Sequence, residues 1–401
     1  MHAKGPALKK ERVRNALLRR PVDRVPLFAS ATPQFLQRAL DRHGWWTRPG
    51  RRVPDALDAW RYFSGVGMDA VQVAHPSFYP VRVLELPPGS RHVDAMGRSH
   101  VLTELYDEFC EPFPLADERG ASPAEVRRKW ARYRFPDPRD DAWFEGLDRV
   151  LAANEALDDP PAVWGVVNGP LEPAWQLLSD GWPEFFVLHR RAPSLAEEIL
   201  SATAGYVVEA GAAMVERGVD AVRLADDYGL NDRLLCHPRV WRELVKPQHE
   251  RVVAGLKRAG GGEFPVILHS DGNLMEILED LAGTGIDALN PVQPGAMSVE
   301  EVADGVGDRL ALAGAIDLRH FLLDWNAESE ELLARETRRV VQAASKVRGV
   351  HGESPTGLLL GPTHQLQPAS RVETFEGWIR LVLDARPSLS LEPEEREGAG
   401  D

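Results

Sequence analysis

His269 and Asp271 stand two residues apart at the end of an apolar run, PVILHSDGN (265–273). On an extended chain, residues at that spacing point to the same side. An imidazole and a carboxylate so placed suit two ligands of one zinc ion, or a histidine oriented by an acid. A structural role is also open: Asp271 or Asn273 can cap the helix expected from Leu274, with Asn273 and Glu276 spaced as a capping box. Asp226 and Asp227 form a second constellation, in VDAVRLADD (219–227). Neighbours on a strand alternate in direction, so only one of the two acids can face a given side. That one is a candidate general acid or base, or the partner of a substrate cation, and otherwise a turn or helix cap. His364 ends the run GLLLGPTHQ (357–365) and is either catalytic or a tie within its loop.

These residues need a scaffold that brings distant strand ends together. Eight β-rich runs alternate with amphipathic helical segments: 24–30, 67–75, 162–170, 219–227, 265–272, 285–294, 309–317 and 357–365. In the helical segment NLMEILEDLAGTG, Leu274, Ile277, Leu278 and Leu281 share one face. Eight such units predict an α/β fold, a (β/α)8 TIM barrel. The doubly wound alternative expects a glycine-rich phosphate turn after the first strand, and FASATPQ is not one. In a barrel, functional groups gather at the carboxyl ends of the strands. Seven consecutive strand ends here carry Asn, Asp or His. His75, Asn168, Asn290, Gln293 and Asp317 are therefore expected to bind substrate, and Asp227, His269 and His364 to act on it. Residues 1–23 read as a helical lead-in and 24–385 as a single barrel domain. An insertion over 76–160 follows the second strand: it opens as a β-hairpin excursion and continues as a Pro- and charge-rich helical segment. The acidic end, 386–401, reads as a disordered tail.

The net charge of −14 on 401 residues argues against nucleic acid or an anionic membrane as partner. Two cysteines, Cys110 and Cys236, cannot build a disulfide framework, so a reducing cytoplasm is expected. No run approaches the roughly 20 apolar residues of a membrane span, and the basic N-terminus lacks the apolar core of a signal peptide.

Longer segments carry a family likeness. They are ERVRNALLRRPVDRVPLFAS (11–30), GPLEPAWQLLSDGWPEFFVLHRRAPSLAEEIL (169–200), DDYGLNDRLLCHPRVWRELVKPQHERVV (226–253), HSDGNLMEILEDLAGTGIDALNPVQPGA (269–296), LALAGAIDLRHFL (310–322) and GLLLGPTHQLQP (357–368). Together, over about residues 10–385, they resemble the uroporphyrinogen decarboxylase superfamily. The resemblance implies a TIM barrel and favours Asp227 as the acid that faces the pocket. Decarboxylases of that superfamily work without metal or cofactor and carry an arginine-rich segment after strand 1. Here FASATPQFLQRAL offers Arg38 alone, and His75 stands where an essential aspartate is expected.

The cobamide-dependent methyltransferases of the superfamily bind zinc through a His-x-Cys pair after strand 5 and a later cysteine. His269 keeps that position, Asp271 replaces the cysteine, and neither Cys110 nor Cys236 lies late in the barrel. A thiolate zinc site is thereby excluded, and a harder site from His269, Asp271 and a third oxygen or nitrogen donor stands in its place. The resemblance so implies transfer of a methyl group from a small methylated substrate to a corrinoid on a partner protein, with a divalent metal such as zinc. The alternatives are a metal-free decarboxylase or lyase, with Asp227 or His364 as proton donor and Arg223 or Arg233 for a carboxylate, and a non-catalytic ligand-binding barrel. Relatives often dimerise, so a homodimer is expected.

Overall fold

A computed structural model describes residues 8–79, 84–345, 347 and 357–384. The tail expected over 386–401 lies outside the described residues. Seven parallel strands curl in chain order: β1 (Ala70–Ala74), β5 (Ala162–Asn168), β6 (Ala221–Ala225), β7 (Val266–His269), β8 (Ala288–Asn290), β9 (Ala311–Ala313) and β10 (Leu358–Leu359). The gap between β10 and β1 is closed by an extended segment, through the parallel bridges Leu27↔Leu360 and Phe28↔Ala70. The expected TIM barrel is thus formed, its first strand reduced to bridges. Between β1 and β5 lies an antiparallel sheet of three short strands, β2 (Arg91–Val93), β3 (Ser99–Leu102) and β4 (Asp107–Cys110). It has one strand more than the hairpin read from the sequence, and the helices Pro123–Trp130 and Glu145–Glu155 follow it.

Alternation along the strands builds a gradient through the barrel. Ala70, Ala162, Ala221, Ile267, Ala288 and Ala311 pack inside, joined by Phe28 and Trp164, whose rings lie 5.1 Å apart. Small residues from most strands leave room for these two large rings, so the lumen is a packed core and not a channel. Val13, Ala16 and Leu17 of the helix Lys9–Leu17 belong to the same cluster and plug the amino ends of the strands. Two residues further along the same inward phase the side chains turn polar: Arg223 on β6, His269 on β7 and Asn290 on β8. The second, larger core lies between the sheet and the surrounding helices.

Closure at the first strand depends on one buried acid. Asp69, fully buried, receives Arg12 Nη1 at 2.8 Å, Arg24 Nη2 at 2.6 Å and the Leu27 backbone N–H at 2.8 Å. The lead-in helix, the bridging segment and β1 are tied by that single carboxylate. A buried ion network is costly to break, here chiefly at Arg24 and the Leu27 N–H, because Arg12 also holds Asp23 at 2.6 and 2.8 Å.

Candidate active site

Asp226 and Asp227 separate as strand alternation requires. Asp226 turns outward and accepts the Leu171 and Glu172 backbone N–H groups at 3.1 and 2.7 Å, capping the helix Leu171–Gln176. Tyr228 Oη donates to the same carboxylate at 2.7 Å. A Cβ on Gly169 would lie 2.4 Å from that of Asp226, so only glycine allows this approach. Burial pushes Asp226 up to about 7 against these hydrogen bonds. Asp227 instead opens toward solvent at the mouth and accepts the Asp271 backbone N–H at 2.9 Å.

His269 is buried at the end of β7, and its protonation pattern is set by neighbours. Asn290 Nδ2 donates to the Ala313 carbonyl at 2.8 Å, which turns Asn290 Oδ1 toward His269 Nδ1, also at 2.8 Å. An amide oxygen only accepts, so Nδ1 carries the proton and the Nε2 lone pair is free. Burial, then the Arg223 and His364 charges, hold the His269 pKa well below its ordinary value, so the ring is neutral. The His364 ring lies 5.6 Å from it, centroid to centroid, and His364 Nε2 is 3.8 Å from Asp271 Oδ2. One ligand atom each from His269, Asp271 and His364 falls within 4.8 Å of the others. Burial pushes Asp271 up to about 6, and at Asp227, whose tip still reaches solvent, partial loss of water and then the adjacent Asp271 charge do the same. Neutral imidazole beside carboxylates is a donor set that suits a divalent cation.

Arg223 lies beneath this triad. Its Nη1 approaches His269 Nδ1 and Asn290 Oδ1, both at 3.3 Å, and its buried Nε has no hydrogen-bond partner among the described residues. Gln293 steadies the turn after β7: its Oε1 accepts the Gly272 N–H at 2.8 Å and its Nε2 reaches Asn231 at 3.1 Å. Asn168 ends β5 fully buried, with neither amide atom partnered among the described residues.

Four expected roles meet a different geometry. His75 has both ring nitrogens engaged, by Ser77 at 2.8 Å and the Pro138 carbonyl at 3.2 Å, under Trp143 and Phe144 of the insertion. Asp317 caps the 3₁₀ turn Leu318–Leu322 through the Arg319 N–H and pairs with the Arg319 guanidinium. Neither joins the triad. Asp271 caps no helix. Asn273 accepts the Met275 N–H at 3.1 Å, and the chain there runs as a 3₁₀ turn, Met275–Ile277, before the helix Leu278–Ala282. Arg233 pairs at the surface with its neighbour Asp232.

Tyr79 and Glu172 were not expected and were found at the site by burial: both are raised well above their ordinary values, first by loss of water, and Asp227 is among the charges each one feels. Period-two alternation carries a signal for Arg223, which falls in phase with the inward Ala221 and Ala225 and with Asp227.

A closed parallel barrel with histidines, acids and an arginine converging at the carboxyl ends of its strands defines a TIM-barrel protein with a polar mouth. Residues 119–384 match the uroporphyrinogen decarboxylase (URO-D) family. The chain belongs to that family. It is 25% identical over 246 residues to the uroporphyrinogen decarboxylase of Hydrogenovibrio crunogenus, covering 60% of this chain and 64% of that protein. The matched part thus spans less than two thirds of that relative's length. The chain is 24% identical over 317 residues to the methylcobamide:CoM methyltransferase MtaA of Methanosarcina barkeri, covering 78% and 84%. A solved methyltransferase from Methanosarcina mazei shares the fold with a TM-score of 0.66 at 21% identity, covering 95% of this chain and 98% of that one. Enzymes of two chemistries therefore stand among the relatives.

Proposed function

We propose that this chain moves a methyl group from a small, anionic methylated substrate to a corrinoid carried by a partner protein. The carrying observation is the convergence of His269, Asp271 and His364, with the free His269 Nε2 aimed from a preset tautomer. A zinc ion held by these three would supply Lewis acidity at the reacting heteroatom. The chain's own residues supply the rest. Asn290 fixes the His269 ring, and Gln293 holds the turn that carries Asp271. Arg223, buried and without a carboxylate partner among the described residues, holds the substrate's anionic group, because an unpaired guanidinium in a dry site gains most from an anion. Asp227, near 6, gives its proton to the heteroatom that loses the methyl group.

Arg223 also favours a second reading, a metal-free decarboxylase in which it binds a substrate carboxylate and Asp227 protonates the carbanion-like centre. One assay separates the two. The zinc-equilibrated chain is mixed anaerobically with cob(I)alamin and a panel of O-, N- and S-methylated carboxylates and sulfonates. Methylcobalamin is expected to form, and His269→Ala to slow it by about 100-fold or more. Release of carbon dioxide from uroporphyrinogen by chelator-treated protein, with no methylcobalamin from the panel, sinks the first reading.

A further inference from the structure

The three short strands of the insertion bring together His92 from β2, His100 from β3 and Asp107 from β4. Register puts them on one face: His92 pairs directly with His100, and Asp107 lies two residues from Phe109, the partner of His100. The two imidazoles stack at 4.7 Å with planes 3° apart. The three side chains are only 13%, 3% and 11% exposed, so water does little for them. His92 Nε2 lies 2.9 and 3.1 Å from the two Asp107 oxygens.

The informative atom is His100 Nδ1. The other ring nitrogen, Nε2, lies 2.9 Å from Asp94 Oδ2, and Asp94 is held in turn by Arg98 Nε at 2.6 Å. A carboxylate that accepts from Nε2 leaves the lone pair on Nδ1. That nitrogen is buried and has no hydrogen-bond partner among the described residues. Asp107 Oδ1 stands 3.8 Å away, beyond hydrogen-bond reach but suited to two atoms facing one ion. One ligand atom from each of the three residues lies within 4.8 Å of the others.

We propose that this is a structural metal site, separate from the barrel mouth, that takes a divalent transition ion such as zinc. Two imidazoles and a carboxylate are the borderline donors such ions prefer, and the remaining position falls to the second Asp107 oxygen or to water. The outer Asp94–His100 contact is the arrangement that orients metal-bound histidines. Strands three or four residues long form few ladder hydrogen bonds, and one ligand from each strand fastens all three. The β3–β4 turn is thereby held at the edge of the mouth, where Tyr106 Oη donates to Gln367 at 2.7 Å and the Leu105 carbonyl accepts from Gln34 at 2.7 Å.

The test uses the full chain carrying His269→Ala, which silences the barrel mouth. Equilibrated with zinc alone and desalted, this protein is expected to retain one zinc per chain. Adding His100→Gln or Asp107→Asn is expected to abolish retention. Asp94→Asn spares all three ligands and keeps the test informative if those variants unfold; it is expected to weaken zinc in a competition titration roughly 10–100-fold. Failure of the parent variant to hold zinc, or equal affinity with Asp94→Asn, overturns the proposal, as does retention after His100→Gln or Asp107→Asn.

Discussion

Asp271 is where the charge balance of the mouth is most exposed to measurement. Its folded pKa of about 6 lies above the ordinary 3.8, so the folded protein favours the protonated form. That preference contributes stability below 3.8 which is lost as pH rises toward 6. Asp271→Asn, which cannot ionise, is therefore expected to raise the melting temperature of metal-free protein more at pH 7 than at pH 4. An effect that is equal at both pH values, or larger at pH 4, contradicts the assignment. At this scale the sequence was partly legible. The His269–Asp271 spacing and the polar strand ends could be read directly, because strand alternation is strict. His75 and Asp317 could not be placed, since a polar residue at a strand end looks the same whether it faces a pocket or binds its own loop. Tyr79 and Glu172 depend on how the insertion and the turn after β5 fold over the mouth, which no local pattern encodes.

The element that sets the site is the turn after β7, pressed against the turn after β6. Gly272 has φ +85°, and a Cβ there would lie 2.4 Å from the Gly229 carbonyl carbon. Backbone meets backbone, so no side chain can yield. Gly272→Ala is expected to cost on the order of 1–3 kcal/mol in urea unfolding, and to weaken metal binding as well by displacing Asp271. Unchanged stability would show that the two turns are not in fixed contact. The strands were readable from apolar runs with turn residues, and so was the apolar face of 274–281, all four of whose leucines and isoleucine are buried. The break of that segment into a 3₁₀ turn and a short helix was not, because hydrophobic spacing does not distinguish a tight first turn from a regular one. The third strand of the insertion also escaped reading, for its strands are too short to show alternation clearly.

For the whole molecule, the barrel is legible because eight strand–helix units leave few other closed solutions. How it closes is not: the first strand contributes only bridges, and the contacts that seat it come from Arg12 and Arg24 on buried Asp69. Asp69→Ala takes the carboxylate from Arg24 and the Leu27 N–H and leaves Arg12 with Asp23 alone, and is expected to destabilise the fold by about 3–5 kcal/mol in chemical denaturation. A loss under about 1 kcal/mol would mean the network contributes little to closure. The polar gradient through that barrel leads to the claim on which the functional reading depends, that His269, Asp271 and His364 hold one metal ion at the mouth. The direct measurement is the zinc content of the full chain and of His269→Ala after equilibration with zinc and desalting. One equivalent fewer in the variant is the predicted result, and equal zinc in the two proteins would contradict it.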